Sequence, residues 1–130
     1  MHMLDSKVTQ HLLIMSCLEE LHEWELSNSY MLKTMTGQHL YYKIVQRIVG
    51  DKSLMFKSLK DLFSGSNLSE KALRNRMLDF EEFGYIETNT CIDDGRSKYL
   101  MPTSLFHADL REHAAQAKYI FSKNFLLIDK

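Results

Sequence analysis

The chain has few of the residues that build disulfide scaffolds, membrane spans or glycine-rich loops. It contains two cysteines, one proline and five glycines among 130 residues, and its formal net charge is −1. Two cysteines far apart in sequence fit no metal-ligand spacing and cannot form a disulfide framework. No apolar run reaches the roughly 18 residues of a membrane span, and the first residues do not resemble a secretory signal. These absences predict a single cytoplasmic domain without membrane contact.

Residues that could carry catalysis or hold a metal are scattered along the chain. The six histidines include no i, i+4 pair, and there is no glycine-rich phosphate loop, nucleophile elbow or Walker pattern. Cys17 lies on an apolar stripe, and Cys91 is followed by Asp93 and Asp94, which disfavour a reactive thiolate. The sequence therefore predicts no catalytic residue, no metal site and no cofactor.

The spacing of apolar residues predicts a mainly helical fold with one small β-hairpin. Helix ends are marked by capping residues and by glycine. The predicted helices are one from about Lys7 that is interrupted at 27–29, one over 37–49 capped by Thr36, a short one over 56–63, one from Ser69 to about Phe83, and a long last one capped by Thr103 or Ser104. The predicted strands cover 85–90 and 97–101 and are joined through the turn 93–95.

The first and last helices carry more apolar surface than one core requires. On the first helix, apolar residues occupy two stripes, one with Val8, Leu12 and Met15 and another that includes Cys17. A helix that packs only on its own domain shows an apolar arc of about 100°. We therefore predict that 1–35 is a dimerising extension and 104–130 a dimerising C-terminal helix around a central region, 36–103. The last helix has Leu105, Phe106, Leu110, Ala114, Ala117, Ile120 and Phe121 on its predicted apolar side.

The helix that begins after Ser69 separates an apolar face from a polar one. Leu73, Met77 and Phe80 form the predicted inward stripe, and Lys71, Arg74 and Asn75 lie away from it. Arginine and lysine suit guanine and asparagine suits adenine in the major groove, whereas first-turn amides and a Ser69 hydroxyl suit a phosphate. Arg76 lies nearer the border of the faces, where it could brace the fold or touch a phosphate. The alternative is a solvated charged face on an ordinary helix.

The hairpin adds two cations beside this helix. Arg96 and Lys98 follow the turn, and Asp94 could pair with Arg96 and orient it. A guanidinium inserted into the minor groove senses its width and its negative potential. The alternative is a solvated hairpin tip whose charges only prevent edge-to-edge strand pairing.

Taken together, these features resemble the winged helix-turn-helix of bacterial regulators, especially the multiple-antibiotic-resistance-regulator (MarR) class. The matching residues are 69–76, 80–86, 94–97 and 99–103, and the resemblance covers about two-thirds of the chain. The turn resembles that class's Asp-x-Arg wing, followed by a Leu-Thr pair that opens the last helix; here Pro102 replaces that leucine and Thr103 is kept. The resemblance implies a homodimer built from terminal helices, with DNA read by the helix carrying Lys71, Arg74 and Asn75 and a wing contact by Arg96.

The sequence thus predicts a sequence-specific DNA-binding transcriptional regulator that acts as a homodimer. Helix 69–83 would enter the major groove of double-stranded DNA, and the wing at 90–98 would reach the minor groove. The eight methionines and the Tyr41-Tyr42 pair could line a pocket for a small-molecule effector, although core packing explains them better. The alternative function is a winged-helix module for protein–protein interaction without DNA binding, which the low net charge favours. A small enzyme is a third class, and no residue pattern supports it.

Overall fold

The computed structural model of the chain describes residues 6–50, 54–55, 69–90 and 98–126. Its elements, in chain order, are α1 (Ser6–Asn28), α2 (Met35–Val49), β1 (Leu54–Met55), α3 (Glu70–Glu82), β2 (Ile86–Thr90), β3 (Lys98–Pro102) and α4 (Ser104–Leu126). Across this described part, four helices and an antiparallel hairpin confirm the predicted mainly helical fold. The predicted short helix at 56–63 and the turn at 93–95 lie outside the described residues.

The chain forms two compact units. One consists of Met1–Tyr30 with Leu110–Lys130, and the other of Met31–Asp109. In the first unit, α1 packs on the later turns of α4 through a buried cluster of Cys17, Leu21 and Ile120. Half-buried Ala117, Phe121 and Phe125 pack against this cluster.

The core of the second unit combines helices and sheet. It consists of buried residues from α2 (Leu40, Tyr41, Ile44), α3 (Leu73, Met77, Phe80), the hairpin (Ile86, Leu100) and the start of α4 (Phe106). The ring centroids of Tyr41 and Phe106 are 5.5 Å apart, so α2 and the first turn of α4 meet through aromatic contact. Burial of these faces is what orients α3 in the unit.

Helix α2 begins two residues earlier than the sequence predicts. Thr34, not Thr36, is the N-cap: its backbone is extended, with φ −118° and ψ 154°, and its hydroxyl accepts a hydrogen bond from the Gly37 amide at 3.0 Å. Thr36 was the wrong choice because it already lies within the helix. Both threonines are suitable capping residues, and only the backbone conformation distinguishes them. The predicted end of this helix at Gly50 is confirmed.

The sheet has the strand order β1-β3-β2, and both pairings are antiparallel. Thr88 pairs with Leu100 across the hairpin, and Leu54 pairs with the other side of Leu100. Strand β1 was not predicted, since two residues give no detectable alternation. Pro102 is the last residue of β3 and pairs with Ile86, beyond the two positions that β1 covers. A proline is acceptable there because it lacks only the donor that an inner position needs.

A left-handed glycine ends α3, as predicted. Gly84 has a φ of +85°, and the amide of Tyr85 donates to the carbonyl of Phe80 at 2.8 Å. The Thr103 hydroxyl lies 2.6 Å from the carbonyl oxygen of Gly84, and it also accepts from the amide of Phe106 at 3.3 Å. Thr103 therefore links the end of α3, the end of the hairpin and the start of α4.

Candidate nucleic-acid interface

Three buried side chains hold one face of α3 against the core of its unit. Leu73 and Phe80 are each 1% exposed and Met77 is 7% exposed. Their spacing of three and four residues is that of one helical stripe, and the prediction of this inward face is confirmed.

The predicted reading residues lie on the exposed side of α3. Lys71, Arg74 and Asn75 are all exposed, and Arg76 is half-buried at the border between the two faces. Lys71 makes no ion pair with any residue in the described part of the chain. The structure thus brings together the residues that the sequence singled out on this helix, on a surface that solvent reaches.

The N-terminus of α3 is capped as the sequence predicts. Ser69 has an extended backbone, and its hydroxyl oxygen accepts a hydrogen bond from the Ala72 amide at 3.0 Å. Its own hydroxyl hydrogen can still donate, so the cap and a phosphate oxygen can share the same group. The first-turn amides and the positive end of the helix dipole favour an anion at this position.

Two of the cations on α3 are paired with carboxylates of the same helix. The Nη2 atom of Arg74 lies 3.0 Å from Oε1 of Glu70, and that of Arg76 lies 2.8 Å from Oδ2 of Asp79. Neither pair was predicted from the sequence. The i, i+4 spacing of Glu70 and Arg74 and the i, i+3 spacing of Arg76 and Asp79 are the signals that could have found them.

Charge changes sign along α3. The first half carries Lys71, Arg74 and Arg76 against Glu70, and the second half carries three carboxylates, on Asp79, Glu81 and Glu82. The Glu81 carboxylate accepts a hydrogen bond from the Thr88 hydroxyl at 2.9 Å, which directs it toward the hairpin. Only the N-terminal half of the helix is therefore suited to approach a polyanion.

Leu78 is an exposed apolar residue on the same helix. Its side chain is 58% exposed, and it follows Arg74 by four residues and Asn75 by three. The sequence analysis did not single it out. A branched apolar group at this place can contact a thymine methyl or a protein surface.

The hairpin residues are placed only in part. Lys98 is the first residue of β3 and pairs with Thr90 through the backbone. Arg96 lies outside the described residues, and so do Asp94 and Cys91. The predicted role of the wing therefore stays a prediction.

An open cavity of about 360 Å³ lies beside the end of α3. It is lined by Glu81, Gly84, Ile86, Glu87, Thr88, Asn89 and Thr103. The Tyr41-Tyr42 pair, considered as a pocket lining, is not part of it. Tyr41 is buried and packs on Tyr42 and Phe106, as core residues do.

In the first unit, a buried polar cluster joins α1 to α4. His113 and Glu25 form a hydrogen bond of 2.6 Å, the Trp24 ring stacks on His113 at 6.0 Å, and His22 lies 3.6 Å from Glu25. The sequence analysis missed this cluster. Within the described ranges, no group of three or more histidine, cysteine, aspartate or glutamate residues could hold a metal ion.

Cys17 and Lys123 lie near each other in the same unit. Burial raises the pKa of the Cys17 thiol, and the Glu20 carboxylate raises it further. A hydrogen bond to Glu20 raises the pKa of Lys123, so this amine stays charged. The burial of this thiol fits the prediction that Cys17 is a small core residue.

Comparison with known proteins shows the fold of the chain. No protein-family model matches the sequence, and no curated protein sequence matches it. One similar solved structure is the heme sensor protein PefR from Streptococcus agalactiae, in complex with heme, with a TM-score of 0.55 and 19% sequence identity. The match covers 93% of this chain and 76% of the PefR chain. The likeness and the described elements show a mainly helical winged-helix fold. No helix in the described part is long and apolar enough to cross a membrane.

Proposed function

We propose that the chain is a sequence-specific DNA-binding transcriptional regulator that acts as a homodimer. The observation that carries this proposal is the two-faced α3. Leu73, Met77 and Phe80 bury one side of it, while Lys71, Arg74 and Asn75 are exposed on the other. The winged-helix fold supports the proposal because such folds place a helix of this kind in the major groove.

The N-terminal half of α3 is the part that would enter the groove. Lys71 and Arg74 would contact guanine, Asn75 would contact adenine, and Ser69 with the first-turn amides would hold a phosphate. Arg76 lies at the border of the buried face and is paired with Asp79, so its remaining donors suit a positioning contact with a phosphate rather than the reading of bases. The acidic second half would stay away from the backbone of the duplex.

The wing would supply the second contact. Arg96 would enter the neighbouring minor groove, and Lys98 would face the phosphates beside it. This part of the proposal rests on the sequence pattern of the turn and on the antiparallel hairpin that carries it.

An apolar stripe on α1 supports the homodimer. On the side of α1 away from buried Cys17, several large apolar side chains are exposed, namely Val8 (43%), Leu12 (54%), Met15 (62%) and Leu26 (43%). Val8, Leu12 and Met15 recur at helical spacing, and Leu26 lies three turns further along the same face, beyond Glu19 and His22. These exposed apolar side chains form a surface that a second copy could cover. Two copies paired there would present two recognition helices to successive major grooves, about 34 Å apart.

The direct test is selection of bound fragments from a random duplex library, combined with a mass measurement in solution. We expect a pseudo-palindromic site, a complex with two copies of the chain, and affinity that falls steeply as salt rises. Recovery of fragments with no shared sequence, from a chain of monomer mass, would contradict the proposal.

The second candidate is a winged-helix module for protein–protein interaction. It is favoured by the ion pairs that neutralise Arg74 and Arg76, by exposed Leu78 and by the net charge of −1. Retention on random duplex DNA at low salt discriminates the two. A DNA reader binds and is released by salt, whereas an interaction module flows through.

Heme is not part of the proposal. PefR was solved with heme, but the cavity described in this chain carries the carboxylates of Glu81 and Glu87 and no histidine or cysteine that could bind iron. Two carboxylates would also repel the propionate groups of heme.

A further inference from the structure

We infer that Glu70 sets the DNA selectivity of α3 by holding the guanidinium of Arg74. This inference rests on the proposed function and deepens it. Glu70 is the first residue of α3 and lies at the end that would enter the groove. The helix dipole favours a carboxylate in that position, but on a surface that would meet a polyanion the same carboxylate opposes binding.

The ion pair between Arg74 and Glu70 has good geometry, but it contributes little to the stability of the fold. Arg74 Nη2 lies 3.0 Å from Glu70 Oε1, with side-chain exposures of 59% and 49%. Exposed pairs at i, i+4 contribute little to folding, because water and salt screen them. The contact therefore does not serve mainly to hold the helix together. It helps to fix the position and to offset the charge of the Arg74 guanidinium.

Glu70 affects two modes of DNA binding differently. In nonspecific binding, Arg74 would act through its positive charge on a phosphate, and the Glu70 carboxylate offsets that charge and is itself repelled by the backbone. In specific binding, Arg74 needs only two parallel N–H groups for a guanine, and its remaining donors can stay on Glu70. The carboxylate thus penalises wrong sites more than the right one, which is selectivity through a repulsive element.

The second ion pair of α3, between Arg76 and Asp79, does not lie on the exposed face that carries Arg74. Arg76 and Asp79 have side-chain exposures of 33% and 30%, and they lie at the border of the buried face. Glu82 offers a matched control, since it is exposed on the same helix and makes no ion pair with any described residue. Replacing Glu70 or Glu82 with glutamine removes the same charge.

The experiment measures dissociation constants of the full chain on a selected site and on random duplex over a range of salt. We expect Glu70→Gln to bind random duplex about three- to tenfold more tightly than the parent. Its salt slope on random duplex should steepen by about one, because no carboxylate at residue 70 then offsets the charge of Arg74. Affinity for the selected site should change less, so the selectivity ratio falls. Glu82→Gln should change the dissociation constants for the selected site and for random duplex by the same small factor.

A second arm tests whether Glu70 acts through Arg74. In an Arg74→Ala background, Glu70→Gln should lose its differential effect on the two duplexes. If the loss of selectivity persists there, or if the Glu70 and Glu82 variants behave alike, the inference is wrong while the proposed function stands. If the parent binds neither duplex at low salt, the proposed function fails and this inference falls with it.

Discussion

The Oε2 atom of Glu25 lies 2.6 Å from Nε2 of His113, although 88 positions separate these residues in the chain. Glu25 is 6% exposed and His113 is 8% exposed, so the hydrogen bond is made where water cannot replace it. Trp24 stacks on the imidazole with an angle of 4° between the rings. A polar bond therefore joins α1 to α4 inside an otherwise apolar packing.

Glu25→Ala should destabilise the chain by about 2–4 kcal/mol, because it leaves the buried imidazole without this partner. The measurement is urea unfolding followed by helical circular dichroism. Glu23→Ala is the matched control, since Glu23 is exposed on the same helix, and its cost should stay within about 0.5 kcal/mol. Equal midpoints for the two variants would show that the bond adds no stability.

Gly37→Ala should destabilise the chain, although a glycine-to-alanine change within a helix is ordinarily favourable by up to about 1 kcal/mol. A β-carbon at Gly37 would overlap the carbonyl oxygen of Met31 and lie 2.9 Å from the capping oxygen of Thr34. The clash is with backbone, so it cannot be relieved by a rotamer change. We expect a loss of about 1–3 kcal/mol in a thermal or urea melt.

The control for this substitution is Gly50→Ala. Gly50 has a φ of −80°, a conformation that alanine adopts without strain. A Gly37→Ala variant as stable as the Gly50→Ala variant would mean that Met31 moves aside at no cost.

Met15→Lys should shift the chain toward monomer. Met15 is 62% exposed on the apolar stripe of α1, and a buried ammonium at a dimer seam would lack a partner. Sedimentation or light scattering across a dilution series should show dissociation at a concentration at least about tenfold higher than for the parent. Val49→Lys is the control, since Val49 is an 81% exposed apolar residue at the end of α2. Identical masses for both variants and the parent at every concentration would contradict the dimer seam.

Arg74→Ala should weaken binding to a selected site by about 1–3 kcal/mol and relax base preference at one position. A gel-shift titration on the selected site and on single-base variants measures both effects. Arg111→Ala is the control, because Arg111 is an exposed cation on α4 and outside the proposed interface. If the Arg74→Ala variant distinguishes the selected site from its single-base variants as well as the parent does, Arg74 does not read a base.

Arg96→Ala should give a different pattern in the same titration. We expect weaker binding to all sequences by similar factors and a salt slope that is shallower by about one. A loss confined to one base position would instead assign Arg96 to direct reading of a base.

The sequence was sufficient to predict the two faces of α3 and its ends. Leu73, Met77 and Phe80 recur with the helical period, Ser69 is a strong cap, and Gly84 supplies the left-handed turn that other residues resist. Each of these signals is local, so it can be read without knowledge of the fold.

The features that the sequence did not predict depend on partners that are distant in the chain. His113 is buried and hydrogen-bonded to Glu25, whereas Leu105 and Ala114, expected on the apolar side of α4, are exposed. A pattern based on polarity places leucine inside and histidine outside, and it carries no information on which residue meets which. Likewise, two residues of β1 became a strand only because β3 lies beside them.

The Thr103 hydroxyl at the exit of the hairpin, bound near the Gly84 carbonyl, acts as a rigid joint between α3 and the β-ribbon. The ribbon keeps its alignment through the pairing of Ile86 with Pro102 at its base. An insertion between β2 and β3 would therefore leave this base, and its link to α3, unchanged. Under the proposed function, the length of duplex that one copy contacts would thus be adjusted by the length of that connection alone.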